Sequence, residues 1–238
     1  MNRENILAII PARGSRDEVA HMNIRELGGH PLLYYTIKAA LKSTRINRVI
    51  VSTEDEAVKD VSIQSGAEVP FLRPDYLCDG DITLAEVVSF TLEKLHTDEG
   101  YDCRIVVVLL PNAPFKTPED IDKMIEHLQR NDYDSVIPLC QVNEFFWKLE
   151  GADITPANFD YRKKRIDTEP LYQEKGGIYV YKREVFSRPD KLKLGEKRGY
   201  YLISPHHAQT IHTTYDLFLL ERLAKLPGAL IQIIMEHE

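Results

Sequence analysis

The sequence has few cysteines and no long apolar run. Its 238 residues include three cysteines, Cys78, Cys103 and Cys140, which are odd in number, far apart and without CxxC spacing. This pattern argues against a disulfide framework or a thiolate zinc site and favours a reducing cytoplasm. The apolar stretch 6–10 is too short for a signal peptide or a membrane span. We therefore expect a cytoplasmic protein that acts without a membrane.

The sequence also lacks an excess of positive charge. Its formal net charge is -7 and its pI is about 5.7, which argues against nucleic acid as a partner. Hydrophobic residues make up 43% of the chain and charged residues 28%, as in an ordinary globular protein. The length suits a single domain spanning 1–238 with a sizeable core. An anionic ligand would need a local pocket of arginine, lysine and backbone N–H groups.

Short runs rich in isoleucine and valine alternate with helical patterns. The runs predict strands at 6–10, 48–52, 104–110, 135–139 and 178–182. Helices are predicted at 32–42, 54–65 and 84–95, after Thr117, and at 215–225 behind a Thr213/Asp216 cap. This order predicts an α/β fold with three α/β/α layers and a mostly parallel sheet.

Segment 141–176 interrupts the alternation. It is polar, contains scattered aromatic residues and reads as irregular, and so long an excursion is typically functional or oligomeric. In open parallel sheets, ligands bind at the carboxyl ends of the strands. The loops of interest therefore follow Ile10 and Leu110 and precede His212. The residues alone predict an enzyme that handles a nucleotide or a sugar phosphate.

The loop after the first predicted strand carries a resemblance. Residues 9–24 read I-I-P-A-R-G-S-R-D-E-V-A-H-M-N-I and resemble the acylneuraminate cytidylyltransferase signature I-I-P-A-R-G-G-S-K-G-I-P-R-K-N-I. Residues 28–37, 49–56, 66–74 and 165–180 are also similar to that family, in one register from residue 5 to about 225. The resemblance implies a nucleotide-diphospho-sugar transferase-like fold in which 141–176 is a dimerisation arm reaching across a homodimer. It also implies Mg²⁺-dependent transfer of CMP from CTP to a sialic-type (nonulosonic) sugar acid, with release of pyrophosphate.

Several residues acquire roles in nucleotide binding from this resemblance. Arg13, Gly14 and Ser15 would face the triphosphate, Arg13 as a catalytic residue, and Asn23 would help to hold the nucleotide. The alternative for Arg13 is a surface ion pair on an inherited turn. Thr83 would hydrogen-bond cytosine, and its alternative role, the N-cap of the helix beginning at Leu84, is compatible with that contact.

Other residues acquire roles in sugar binding. Arg165 would hold the carboxylate of the sugar acid in the partner's site as a second catalytic residue. Lys116 stands where the family has arginine, and it keeps the charge without the bidentate fork. Tyr179 belongs to the matching G-G-I-Y run, whereas Leu110 replaces a glutamine that would bind the sugar.

Charged positions depart most from the family pattern. Asp17 and Glu18 replace a lysine and a glycine, and a like-charge contact at about 4 Å costs about 4 kcal/mol at an effective dielectric near 20. The Mg²⁺-binding D-I-D motif is replaced by Thr210-Ile211-His212, so we predict no metal ligands there. Three histidines, His206, His207 and His212, are interpreted as surface residues in preference to a transition-metal site. Two hypotheses follow: an active cytidylyltransferase, or a catalytically degenerate paralogue that binds or regulates a partner.

Overall fold

The computed structural model describes residues 5–14, 21–78, 81–161, 164–188 and 193–224. Its strands are β1 (Ile6–Pro11), β2 (Glu26–Leu27), β3 (His30–Pro31), β4 (Arg48–Ser52), β5 (Ile105–Leu109), β6 (Ser135–Val142), β7 (Trp147–Glu150), β8 (Asp153–Pro156), β9 (Leu171–Glu174), β10 (Ile178–Lys182) and β11 (Arg198–Leu202). Its helices are α1 (Leu32–Lys42), α2 (Glu56–Gln64), α3 (Leu84–Glu99), α4 (Pro118–Asn131) and α5 (Thr214–Ala224).

Seven strands form the central sheet. Six of them lie in the order β11-β6-β10-β5-β1-β4, and β9 pairs with the end of β6. β4, β1, β5, β6 and β11 run in one direction, whereas β10 and β9 run in the other. The prediction of a mostly parallel α/β sheet is confirmed.

Both faces of this sheet are buried. In β5, Ile105, Val107 and Leu109 pack with α1, α2 and α4, and the alternate residues Val106 and Val108 pack with α3. This explains why the strand is an uninterrupted apolar run, since neither face meets water. Full burial of each such side chain stabilises the fold by about 1.5–3 kcal/mol. The three predicted layers are therefore present.

Two helix ends differ from their predicted positions, and in both cases a capping residue determines where the helix begins or ends. The second helix begins at Glu56, two residues later than predicted, because the Asp55 side chain accepts a hydrogen bond from the Val58 N–H and is the N-cap. The third helix ends at Glu99, four residues later than predicted, at Gly100, whose φ of 64° suits a glycine C-cap.

Segment 141–176 contains three strands, so its prediction as irregular was wrong. The hairpin β7–β8 turns at Gly151, and β9 joins the main sheet. Asn158, which is buried, fastens the segment by accepting from the Phe146 N–H and donating to the Glu144 and Glu169 carbonyls at 2.9–3.0 Å. The strands lacked a sequence signal because all four residues of β7 and of β9 are exposed.

The helices of the described ranges are too short or too polar to cross a bilayer.

Candidate active site

The carboxyl ends of the five parallel strands meet at one edge of the sheet. The loops that begin there follow β1, β4, β5, β6 and β11, and the amino-terminal end of the antiparallel β10 reaches the same edge. All three loops singled out from the sequence belong to this set. Ligands of open α/β sheets bind at such an edge, so we place the candidate site here.

The loop after β1 is braced by side chains beneath it. Asn23 is buried and donates from Nδ2 to the backbone carbonyl of Arg13 at 2.7 Å. The Gly14 N–H donates to Glu54 Oε1 at 2.9 Å. A Cβ at Gly14 would lie 2.5 Å from Asp55 Oδ2, so only glycine fits at this point of the loop. Thus Asn23 and Gly14 hold Arg13 at the edge of the sheet.

Several residues that follow in this loop were assigned roles from the sequence. Ser15 and the acidic pair Asp17 and Glu18 lie outside the described residues, so their predicted roles stay predictions.

Glu54 joins this loop to a buried arginine. Its Oε2 lies 2.7 Å from Arg73 Nη2, and the Arg73 side chain is 2% exposed. Burial opposes ionisation of Glu54, but hydrogen bonds, chiefly from the Gly14 N–H, and the Arg73 charge hold its pKa below the usual value. Arg73 Nε is buried and has no hydrogen-bond partner among the described residues, which leaves one donor of the cluster unused.

A cleft of about 640 Å³ brings two of the predicted site residues together. Thr83, at the start of α3, and Tyr179, on β10, line the same cavity. The wall between them is largely aliphatic and aromatic, formed by Leu84, Ala85, Val88, Val108, Tyr181, Phe186 and Leu194. Polar groups come from Glu86, Glu174 and Lys193. An apolar wall with a few polar groups is typical of small-molecule sites.

Thr83 is the N-cap of α3. Its Oγ1 accepts from the Glu86 N–H at 3.3 Å, and Glu86 Oε2 accepts from the Thr83 N–H at 2.7 Å, which completes a capping box. The predicted capping role is confirmed. The same hydroxyl borders the cleft, so a cytosine contact by Thr83 remains a prediction compatible with this geometry.

Two tyrosines on β10 form one wall of the cleft. The rings of Tyr179 and Tyr181 are nearly parallel, with centroids 6.4 Å apart, because alternate residues of a strand face the same side. Burial, and then the nearby charge of Glu174, raise the pKa of both tyrosines. Both hydroxyls therefore stay protonated at neutral pH, and that of Tyr179 is hydrogen-bonded to Glu174.

The structure places Lys116 in the interior instead of at a sugar-binding surface. The residue is 0% exposed, and its Nζ donates to Thr36 Oγ1 at 2.9 Å, to the Leu110 carbonyl at 2.8 Å and to the Ala113 carbonyl. With three donors and three acceptors matched, Lys116 fixes the loop after β5 from below. Burial lowers the pKa of Lys116 to about 7. A sugar contact by this amine is therefore not supported.

Arg165 lies in the 141–176 segment, on a short helical turn, Arg165–Asp167. Its guanidinium pairs with Glu144 Oε1 at 2.7 Å, and its side chain is 65% exposed. Arg165 is not among the described residues that line the cleft of its own chain. Since exposed ion pairs contribute at most about 1 kcal/mol, a ligand carboxylate can replace Glu144 at little cost.

The side chains at Thr210 and His212 do not fit Mg²⁺. The nearby carboxylate, Asp216, already accepts from the N–H groups of His212 and Thr213 and from the Thr213 hydroxyl at 2.9–3.0 Å. These bonds hold the pKa of Asp216 below its usual value and cap α5, as predicted. Within the described ranges no group of three histidine, cysteine, aspartate or glutamate residues is placed to hold a metal ion. A hydroxyl and an imidazole are poor ligands for a hard cation that prefers carboxylates.

Some residues of the site were not predicted from the sequence. Glu54 lies two residues after the end of β4, so the rule about carboxyl ends of parallel strands contained the signal. Tyr181 could have been found from its two-residue spacing to Tyr179. Arg73 and Glu174 lie in runs that resemble the family, but their place in the site depends on neighbours from distant parts of the chain.

Sequence comparison identifies the family. A family model described as cytidylyltransferase matches residues 7–198. The CMP-N,N'-diacetyllegionaminic acid synthase of Legionella pneumophila is 30% identical over 233 residues, covering 93% of this chain and 97% of that protein. The pseudaminic acid cytidylyltransferase of Campylobacter jejuni is 29% identical and covers 73% of this chain and 76% of its own. The chain therefore belongs to the cytidylyltransferase family, among the members named for acylneuraminic, legionaminic and pseudaminic acids.

Other relatives differ in length. N-acylneuraminate cytidylyltransferase A of Danio rerio is 28% identical over 89% of this chain, which spans about half (49%) of that protein.

Solved structures confirm the nucleotidyltransferase-like fold. CMP-2-keto-3-deoxy-manno-octonic acid synthetase complexed with CTP matches with a TM-score of 0.66 at 15% identity, over 92% of this chain and 98% of its own. The 4-diphosphocytidyl-2C-methyl-D-erythritol synthase of Anaerococcus prevotii gives 0.68 at 16% identity, over 94% and 100%. At these identities the likeness establishes the architecture alone.

Proposed function

We propose that the protein transfers CMP from CTP to a hydroxyl group of a sialic-type sugar acid and releases pyrophosphate. The observation that carries this proposal is the shared cleft, in which Thr83, assigned to cytosine, and Tyr179, assigned to the sugar, face one cavity. A site for joining two substrates needs both groups within one enclosed space. Relatives named as cytidylyltransferases for legionaminic, acylneuraminic and pseudaminic acids support the substrate class.

The chemistry is an in-line displacement. The acceptor oxygen attacks the α-phosphorus of CTP, the bond from that phosphorus to the bridging oxygen breaks, pyrophosphate leaves, and the hydroxyl proton passes to solvent. Arg13, on the loop that Asn23 and Gly14 brace, supplies positive charge for the phosphates. The aromatic wall of Tyr179 and Tyr181 packs against the apolar side of the sugar.

We also propose that the protein works as a homodimer joined through the arm. Large apolar side chains that are more than a third exposed concentrate there: Phe146, Trp147, Leu149, Ile154, Tyr161, Ile166, Leu171 and Tyr172. Exposed apolar groups clustered in this way mark interaction surfaces. A second copy is the occupant we propose; in such a dimer Arg165 would lie near the partner's cleft, where its guanidinium would exchange Glu144 for the sugar carboxylate.

Calorimetric titration with CTP, UTP and ATP tests the nucleotide part before any sugar is chosen. The proposal expects binding of CTP in preference to UTP and ATP, followed by pyrophosphate release when a nonulosonic acid is added. Arg73→Gln keeps a polar side chain while removing the buried charge, and it should weaken CTP binding. If no nucleotide binds to a folded wild-type protein, catalysis is ruled out, and a binding or regulatory role with a partner takes its place.

Mixing variants tests the dimer. Arg165→Ala protein and Tyr179→Ala protein should each be weakly active with the sugar acid. A mixture that exchanges subunits should regain activity in the sites that combine an intact Arg165 from one protomer with an intact Tyr179 from its partner. Sedimentation of Leu149→Glu protein as a monomer would support the arm as the interface. A mixture no more active than its components would remove Arg165 from the partner's site.

A further inference from the structure

A buried aspartate joins three elements at the carboxyl edge of the sheet. Asp120 lies in the first turn of α4 and is 6% exposed. Its Oδ2 accepts from the Thr117 hydroxyl at 2.9 Å and lies 2.7 Å from His207 Nδ1, and its Oδ1 accepts from the Tyr201 hydroxyl at 3.1 Å. His207, which was predicted as a surface residue, is partly exposed and is also bound to a buried carboxylate.

The carboxylate determines which ring nitrogen of His207 serves as the anchor. An ionised carboxylate only accepts hydrogen bonds, so Nδ1 must carry the hydrogen in this contact. The helix amino terminus and the Thr117 and Tyr201 hydroxyls keep Asp120 in place. Burial and the neighbouring Asp120 raise the pKa of Tyr201 to about 12, so its hydroxyl remains a donor. The orientation of the imidazole is thus set from the α4 side.

His207 lies in the middle of the segment that leads from β11 to α5. The segment is attached near its ends by backbone bonds, from the Ile203 N–H to the Leu139 carbonyl at 2.9 Å and from the Ile211 N–H to the Asn112 carbonyl at 2.8 Å. Between these points, Ala208 is buried close to Gly176. The side-chain bond from His207 to Asp120 therefore fastens the centre of the segment to a rigid helix.

The fastened segment continues directly into the candidate site. Thr210 and His212 follow His207 by three and five residues, and Ile211 bonds to the loop after β5. A shift of about 1 Å at such a position can lower catalysis by about a hundredfold. The imidazole is also partly accessible, with 27% of its side chain exposed, so the bond to Asp120 can be tested in solution.

We propose that His207 is a positioning residue, which holds the 203–213 segment in its binding geometry through its Nδ1 bond to Asp120. The inference rests on the proposed function, because the segment is taken to border the nucleotide. It assigns a role to Asp120 and Tyr201 as well, namely to orient the histidine. None of the three residues is required to touch the substrate.

Two substitutions of one residue separate positioning from direct contact. In His207→Asn, the side-chain amide places an N–H donor near the position of Nδ1, so the bond to Asp120 can be kept. In His207→Gln, the amide reaches towards the position of Nε2, and the Nδ1 donor is lost. His206→Gln is the matched control, since His206 is an exposed neighbour. Each variant is examined by amide hydrogen exchange over residues 203–213 and by calorimetric titration with CTP, after its thermal unfolding has been shown to match the wild type.

The proposal expects His207→Gln to speed exchange across the segment at least tenfold and to weaken CTP binding about tenfold, equivalent to about 1.4 kcal/mol. His207→Asn should stay within about threefold of the wild type in both measurements, and His206→Gln should match it. Faster exchange with unchanged CTP affinity would mean that the Asp120–His207 bond is purely structural. This result would overturn the positioning role and leave the proposed function standing. Loss of CTP affinity in His207→Asn, with slow exchange kept in that variant, would mean direct contact through Nε2 and would also overturn the positioning role. A wild-type protein that fails to bind CTP would defeat the proposed function itself, and the positioning role with it.

Discussion

Replacing Lys116 with methionine should change how the free energy of unfolding depends on pH. Methionine has a similar length and no charge, so it fills the same space. Lys116 is fully buried, and its pKa falls from the ordinary value of 10.5 to about 7 on folding. Below pH 7 the folded protein carries the whole cost of a buried ammonium group. As the pH rises from 7 to 10.5, the folded chain loses this proton before the unfolded chain does, and stability increases.

The structure also supplies the size of the effect. A pKa difference of one corresponds to about 1.4 kcal/mol, so the full difference amounts to about 5 kcal/mol. The oxygens of Leu110, Ala113 and Thr36 that surround Nζ favour the charged form and reduce this figure. Between pH 7 and 9.5 we therefore expect the wild type to gain up to about 3 kcal/mol relative to Lys116→Met.

Urea unfolding of both proteins at several pH values measures this difference. The cysteines and tyrosines titrate in the same range, but they are common to both proteins and cancel when one curve is subtracted from the other. A difference curve that rises with pH supports the neutral amine. A flat difference curve would refute the reasoning, because Lys116 would then keep its proton and be stabilised by its three oxygen partners.

Three further predictions concern the cleft and the loop after β1. Gly14→Ala should weaken CTP binding at least tenfold in calorimetry with little change in melting temperature, because the new methyl group meets Asp55 and displaces the loop. Unchanged affinity would show that this loop does not contact the nucleotide. Thr83→Ala should lower the free energy of urea unfolding by about 1 kcal/mol, and Thr83→Ser should restore most of it, since both hydroxyls can cap α3; equal stability of the two variants would contradict the capping role. Tyr179→Phe should raise the KM for the sugar acid several-fold and leave CTP affinity unchanged, since it removes only the hydroxyl near Glu174; a loss confined to CTP would place the nucleotide against this tyrosine.

Much of the fold could be predicted because its strands are buried on both sides. β4, β10 and α1 were placed at their observed residues, since apolar runs and helical spacing were unbroken there. β9 was missed for the opposite reason: its four residues are exposed, and its place beside β6 depends on pairing between residues about 30 positions apart. The periodicity of apolar residues in a sequence reflects which side chains are buried. A strand that is exposed on both faces therefore shows no such periodicity.

The candidate site could be predicted only where a motif lies on one loop. The resemblance singled out Arg13, Asn23 and Thr83; Asn23 bonds to the backbone of Arg13 and Thr83 lines the cleft, and their roles towards a ligand stay predictions. Lys116 was assigned to the sugar because it stands where the family has arginine, whereas the side chain is buried and its amine is bound by three oxygen acceptors. Whether a charged side chain can be buried depends on the hydrogen-bond partners that surround it. Partners that come from other helices and strands cannot be identified from the local sequence.

The sequence by itself determined the layers and the direction of most strands, because these depend on local spacing, and its motifs indicated the family. Only the tertiary structure decided which side chains meet. Thr83 and Tyr179 share a cleft although they are far apart in the chain, and Asp120 holds His207 from 87 residues away. The physical reason is that hydrogen bonds and cavities depend on distances in space, which are set when α3, α4 and the β11–α5 segment pack against one sheet.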